Sequence, residues 1–187
     1  MTATTALLVI DVQIAFDEPV WGAPNNPAAL DNINRLIRGW QDADQPIVLI
    51  RHDSIEPGSP LTAGTPGNAF YPILDGVEPA LRVVKSVNSA FHGDVDLHEW
   101  LLANAVDSIV LSSIQTNMCV ETTARVGGNL GHRVSVALDA TRTFDLTGPD
   151  GAILTADELT RATATNLHGG GFARIVTTEQ ALEELAT

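Results

Sequence analysis

The 187-residue sequence predicts a three-layer α/β/α domain built on a six-stranded, mainly parallel sheet. Three observations carry that reading. Short apolar runs, mostly β-branched, recur six times along the chain, and amphipathic helical patterns fill the intervals between them. Several of the runs are too continuous to leave one face in water, as expected of strands covered by helices on both sides. Alternation of this kind implies right-handed crossovers and an open parallel sheet.

The strand candidates, in order, are "ALLVIDV" (Ala6 to Val12), "PIVLIR" (Pro46 to Arg51), "RVVKS" (Arg82 to Ser86), "SIVLSS" (Ser108 to Ser113), "RVSVALD" (Arg133 to Asp139) and "RIVTT" (Arg174 to Thr178). Between the first two, Leu30, Ile33, Leu36, Ile37 and Trp40 recur at spacings of three and four, the stripe of an amphipathic helix over Ala28 to Ala43. Val95 to Asn104 and Val120 to Leu130 are shorter helix candidates, the second weakened by two glycines. Thr155 with Glu158, and Thr177 with Gln180, read as capping boxes opening the last two helices. "HGGGF" (His168 to Phe172) follows a helix and lacks the Lys-Ser or Lys-Thr pair of a phosphate-binding loop, so it reads as a helix stop. From His52 to Pro79 the chain is rich in Pro and Gly and has no period, and a loop that long in a compact domain is expected to be functional.

Composition narrows the function. The length suits a single domain spanning residues 1–187, and 44% apolar against 18% charged residues marks a folded globular chain. The formal charge of −13 leaves few cations for phosphates, so nucleic acid and anionic membrane surfaces are not expected partners and a small-molecule substrate is. No signal segment, no apolar run of about 18 residues and a single cysteine point to the cytoplasm.

Ligands of open parallel sheets sit beyond the carboxyl ends of the strands. Those ends carry Asp11, His52, Lys85 and, a short turn past the fourth run, Cys119. Singly each has an ordinary structural reading; grouped at one edge they supply a nucleophile, a base and a cation. The first turn of a helix and a nearby ammonium would favour the Cys119 thiolate. Asp11 could take the thiol proton and hand it to a leaving amine, with backbone N–H groups before Cys119 stabilising an oxyanion.

These residues lie in "LLVIDVQIAF", "VVKSVNSAFHGDVDL" and "SSIQTNMCVETTAR", which resemble the D-x-Q-x-x-F, K-x-x-x-S-A-F and T-x-x-C-V segments of the isochorismatase-like superfamily of cysteine hydrolases, in that order and over nearly the whole chain. The resemblance implies a Rossmann-like fold and a catalytic triad of Asp11, Lys85 and Cys119. It further implies a cis peptide between Ile114 and Gln115 and an oxyanion hole from the N–H groups of Gln115 and Cys119. The expected reaction is cleavage of a C–N bond in an amide, carbamoyl or ureido compound through a Cys119 thioester. Gln13, Phe16, Trp21 and Phe91 are expected to line the substrate pocket, together with Tyr71.

Departures from the family's branches refine the expectation. The metal-binding branch has a D-x-H, but here Ile50 stands two residues before His52 and no further His occurs through Phe91, so neither metal nor any other cofactor is expected. His52 is then expected to support the site or fix its loop. The vinyl-ether-cleaving isochorismatases commonly lack the cysteine, which is present here; that reaction remains the alternative. A nucleotide- or flavin-binding module is a further one, disfavoured because the first strand leads into "DVQIAFDEP" rather than a glycine-rich turn. Family members are usually homo-oligomers, so a dimer or larger assembly is expected, with Trp21 and Trp100 as candidates for its contacts.

Overall fold

The computed structural model describes residues 4–186. Six strands form one parallel sheet in the order β3-β2-β1-β4-β5-β8, where β1 is Thr5–Ile10, β2 Ile47–His52, β3 Leu81–Lys85, β4 Ser108–Ile114, β5 Arg133–Arg142 and β8 Arg174–Val176. A short antiparallel hairpin, β6 (Leu146–Thr147) with β7 (Ile153–Leu154), stands apart from it. The helices are α1 (Ala29–Asp42), α2 (Leu97–Ala103), α3 (Glu121–Asn129), α4 (Ala156–Gly169) and α5 (Thr178–Leu185).

The apolar runs explain the sheet directly. Every residue of β1 and β4 after the first is buried, so neither face of these central strands meets water. The core divides in two across the sheet. One side gathers Leu7, Val9, Ile33, Leu36, Ile37, Trp40 and Leu49; the other gathers Leu8, Ile10, Val83, Leu97, Leu101, Ile109 and Leu111. Alternating residues of β1 point to opposite sides, as the pleat requires.

Both capping boxes form, Thr155 with Glu158 and Thr177 with Gln180. The glycines that weaken α3 as a helix former are there for close packing. A Cβ on Gly127 would press on the Phe91 ring and Val134 at 3.2 Å, and one on Gly128 would lie 2.6 Å from the Phe172 carbonyl oxygen. The "HGGGF" segment closes α4, with Gly171 at φ +69 in the left-handed region.

Two features depart from the sequence reading. β5 runs on to Arg142, because the β4 to β5 register shifts between Leu111 and Ser113 and lets the extra residues bulge. The carbonyls of Asp139 and Thr141 in that bulge accept hydrogen bonds from the side chains of Asn26 and Asn32. The hairpin β6-β7 was not expected at all; its short arms carry no readable alternation.

Candidate active site

Asp11 follows β1 immediately and adopts φ +53, left-handed for a residue with a Cβ. Such a conformation costs roughly 1–3 kcal/mol and persists where the surroundings impose it. Here the Asp11 N–H donates to Ile50 O of β2 and its carbonyl accepts from the Gln13 N–H, so the chain turns sharply and drops the carboxylate under the sheet edge. His52 and Lys85 are the last residues of β2 and β3, paired in register, which puts their side chains beside Asp11.

Cys119 lies in a single wide turn, Thr116–Val120, between β4 and α3, with both Met118 N–H and Val120 N–H donating to Gln115 O at 3.3 Å. The Ile114–Gln115 peptide at its start is cis. Hydroxyl contacts tie this turn to the end of β5, Thr116 to Thr141 at 2.9 Å and Thr143 to Asn117. A further tie explains part of the second motif: Ala90 N–H donates to Thr123 Oγ1 of α3.

The Lys85 ammonium is the hub. Its Nζ donates to Asp11 Oδ2 at 2.6 Å, to Cys119 Sγ at 3.4 Å and to His52 Nδ1 at 3.1 Å, which uses all three of its protons. His52 Nδ1 is therefore an acceptor, and burial together with Lys85 lowers the imidazole pKa, leaving the ring neutral. Burial opposes charge on Lys85 as well, but Asp11 and Cys119 outweigh it and its pKa is raised. The second carboxylate oxygen, Asp11 Oδ1, is buried and accepts no hydrogen bond from the described residues.

One carboxylate oxygen of Asp11, one His52 nitrogen and Cys119 Sγ lie within 4.8 Å of one another, a set that could hold a metal ion. Lys85 Nζ is within hydrogen-bonding distance of all three residues. The positive charge that such a group of ligands calls for is already supplied by the ammonium, so the residues fit a lysine-centred site better than a metal.

The thiol departs from expectation. Burial raises its pKa, Asp11 raises it further, and Lys85 offsets them only in part. Burial and Asp11 thus favour the protonated form of the sulfur and Lys85 the thiolate. The sign has a consequence for stability. In the unfolded chain the thiol ionises near its ordinary 9.0, whereas the folded site keeps the proton to higher pH. Above pH 9 the unfolded state therefore releases its proton first, and stability present below that pH is lost as pH rises. Thermal melts across this alkaline range are expected to show a falling midpoint, with a shallower fall in Cys119→Ala.

Above the sulfur opens a cavity of about 480 Å³. It is lined by Asp11, Gln115 and Cys119, by Phe16, Trp21, Met118 and Leu146, and by Ser54 with the segment from Glu56 to Leu61. The long Pro- and Gly-rich stretch thus builds half of the cavity. It is pinned by Asn68, whose amide donates to His52 O, Asp53 Oδ1 and Leu61 O, and by Gly67, where a Cβ would stand 2.7 Å from Pro60 O.

Three residues expected in the pocket lie elsewhere. Gln13 is fully buried and clamps the loop: its Oε1 accepts from the His52 N–H at 2.8 Å, and its Nε2 donates to His52 O and Asn68 O. Phe91 stacks on His132, ring centroids 5.6 Å apart, behind α3. Tyr71 is buried with its hydroxyl between Asp17 and Arg142. Phe16 and Trp21 do face the cavity, packed on each other at 5.2 Å and on Phe144. Trp21 and Trp100, considered for contacts between copies, both pack within this chain. Sequence reasoning missed Asn88, whose Oδ1 lies 3.9 Å from Cys119 Sγ, and Met118 and Leu146. Met118 adjoins the cysteine, a signal that was available.

Comparison with known proteins agrees with this construction. The profile of the isochorismatase domain matches residues 5–178. An uncharacterised isochorismatase-family protein of Bacillus subtilis, YrdC, is 32% identical over 184 residues, covering 98% of this chain and 97% of its own. Nicotinamidase 3 of Arabidopsis thaliana is 30% identical over 184 residues, 91% of this chain and 83% of its own. The crystal structure of an isochorismatase-family protein from Chromobacterium violaceum superposes with a TM-score of 0.92 at 36% identity, covering 99% of this chain and 95% of that one. The site and fold define a three-layer α/β/α domain of parallel-sheet type with a cysteine at its sheet edge. The chain belongs to the isochorismatase family.

Proposed function

We propose that this chain is a cysteine hydrolase that cleaves a C–N bond in a small amide, carbamoyl or ureido compound. The observation that carries the proposal is the Lys85 ammonium bonded at once to Asp11 and Cys119, with Asp11 lining the cavity and its Oδ1 accepting no hydrogen bond from the described residues. A protonated thiol needs a base before it can attack, and a carboxylate oxygen of Asp11 lies within 4.8 Å of the sulfur. In this reading Asp11 removes the thiol proton as the sulfur adds to the carbonyl carbon. The N–H groups of Gln115 and Cys119 stabilise the oxyanion. Asp11 then gives the proton to the departing nitrogen, the C–N bond breaks, and a thioester remains on Cys119. Water, deprotonated by Asp11, attacks the thioester; collapse releases the acid and returns the proton to sulfur. Lys85 stays cationic throughout and balances whichever partner is negative. The name of the nicotinamidase relative supports the C–N reading over C–O cleavage.

The test is ammonia release from a panel of small primary amides, run beside vinyl-ether cleavage of isochorismate. Release from at least one amide is expected, and turnover of isochorismate alone would overturn the proposal. Asp11→Asn makes a sharper arm. Removing the carboxylate lowers the thiol pKa, so iodoacetamide should label Cys119 faster in the variant even as amide turnover falls roughly 100-fold or more for want of the base.

A further inference from the structure

The charges around the cavity point to the kind of substrate it accepts. Besides Cys119, its ionisable lining consists of Asp11, His52 and Glu56, and among the described residues no Lys or Arg lines it. The cations near the site each have a carboxylate partner of their own. Lys85 directs its three protons to Asp11, His52 and Cys119. Arg51 holds both oxygens of Asp53, at 2.7 and 3.0 Å, and Arg142 serves Asp17 and the Tyr71 hydroxyl. His52 is neutral because its Nδ1 accepts from an ammonium. Glu56 lines the cavity as an exposed residue, its backbone N–H donating to Ser54 Oγ at 3.2 Å. The lining also includes the aromatic rings of Phe16 and Trp21.

We infer that this cavity selects uncharged or cationic amides with an apolar body and rejects anionic ones, with Glu56 setting the sign. An entering carboxylate would shed its water against Phe16, Trp21 and Leu146 and meet only acidic or neutral groups in exchange. A cation loses less, since aromatic faces and a carboxylate both attract it. This inference rests on the reading of Cys119 as the nucleophile, and it narrows the substrates of that same site.

Because Cys119 is the only thiol in the chain, charge selection can be read without a known substrate. The probes are three methanethiosulfonates of similar size carrying an ammonium, a methyl and a sulfonate group, their rates on Cys119 divided by their rates on 2-mercaptoethanol. The ammonium reagent is expected to exceed the sulfonate by about tenfold or more, and Glu56→Gln to narrow the gap. The comparison is repeated near 1 M salt, where the Debye length is about 3 Å and the field of the whole acidic chain is screened. A gap that persists there belongs to the lining. Equal rates, a faster sulfonate reagent, or a gap that vanishes in salt would overturn the inference. In parallel, benzamide, 4-(aminomethyl)benzamide and 4-carbamoylbenzoate are offered as substrates. Preferred turnover of 4-carbamoylbenzoate would defeat the charge selection while leaving the hydrolase standing. An intact labelling order with no hydrolysis of any amide would do the reverse.

Discussion

Lys85→Met is expected to lower stability by about 3–5 kcal/mol, the cost of leaving one member of a buried ion pair without its partner. The Lys85 and Asp11 side chains are 0% and 1% exposed, so little solvent is at hand to replace the lost ammonium. What remains is a carboxylate facing an apolar methyl group, a neutral imidazole and a thiol. Adding Asp11→Asn removes the stranded charge, so the double variant should recover most of the loss. Urea unfolding of the four proteins closes the cycle. Recovery separates the charge effect from a packing defect, which the second substitution would not repair. Neither variant should hydrolyse amides, since one lacks the cation and the other also lacks the base.

Cys119→Ala is expected to lower kcat on any confirmed amide by a factor on the order of a million, the usual consequence of deleting the nucleophile from a catalytic triad. Its fold should survive. The sulfur is buried but its contacts are few: Lys85 keeps Asp11 and His52 as acceptors, and the turn from Thr116 to Val120 is held by backbone and hydroxyl bonds that do not involve the thiol. Circular dichroism and the melting midpoint therefore serve as controls. Full turnover in a folded Cys119→Ala protein would remove the sulfur from the chemistry.

Much of this site was legible in the sequence because parallel strands deliver their last residues to one edge. Asp11, His52 and Lys85 each end an apolar run, and their convergence follows from strand order alone once β1 is placed between β2 and β4. The capping boxes were equally plain, since each needs only four consecutive residues. What could not be read were roles decided by distant partners. Gln13 looks like a pocket amide until its partners His52 and Asn68, 39 and 55 positions away, are in place. Phe91 and Tyr71 were assigned by residue type, yet they meet His132 and Arg142 across the fold. The wall from Ser54 to Leu61 has no period because its shape comes from Gly, Pro and the Asn68 amide rather than from a repeating hydrogen-bond ladder. The surroundings of the thiol were hidden for a related reason. A helix terminus is a local feature visible in sequence, whereas burial and a carboxylate arriving from another strand, both of which raise the thiol pKa, are not.

The most direct measurement is the mass of the protein quenched in acid during turnover of an amide, followed by mapping of the peptide that contains Cys119. The wild-type chain should carry the acyl group of that substrate on Cys119, sensitive to hydroxylamine as a thioester is, and Cys119→Ala should carry none. Steady hydrolysis with no acyl mass on the sulfur, or an adduct mapped to any other residue, would contradict the account.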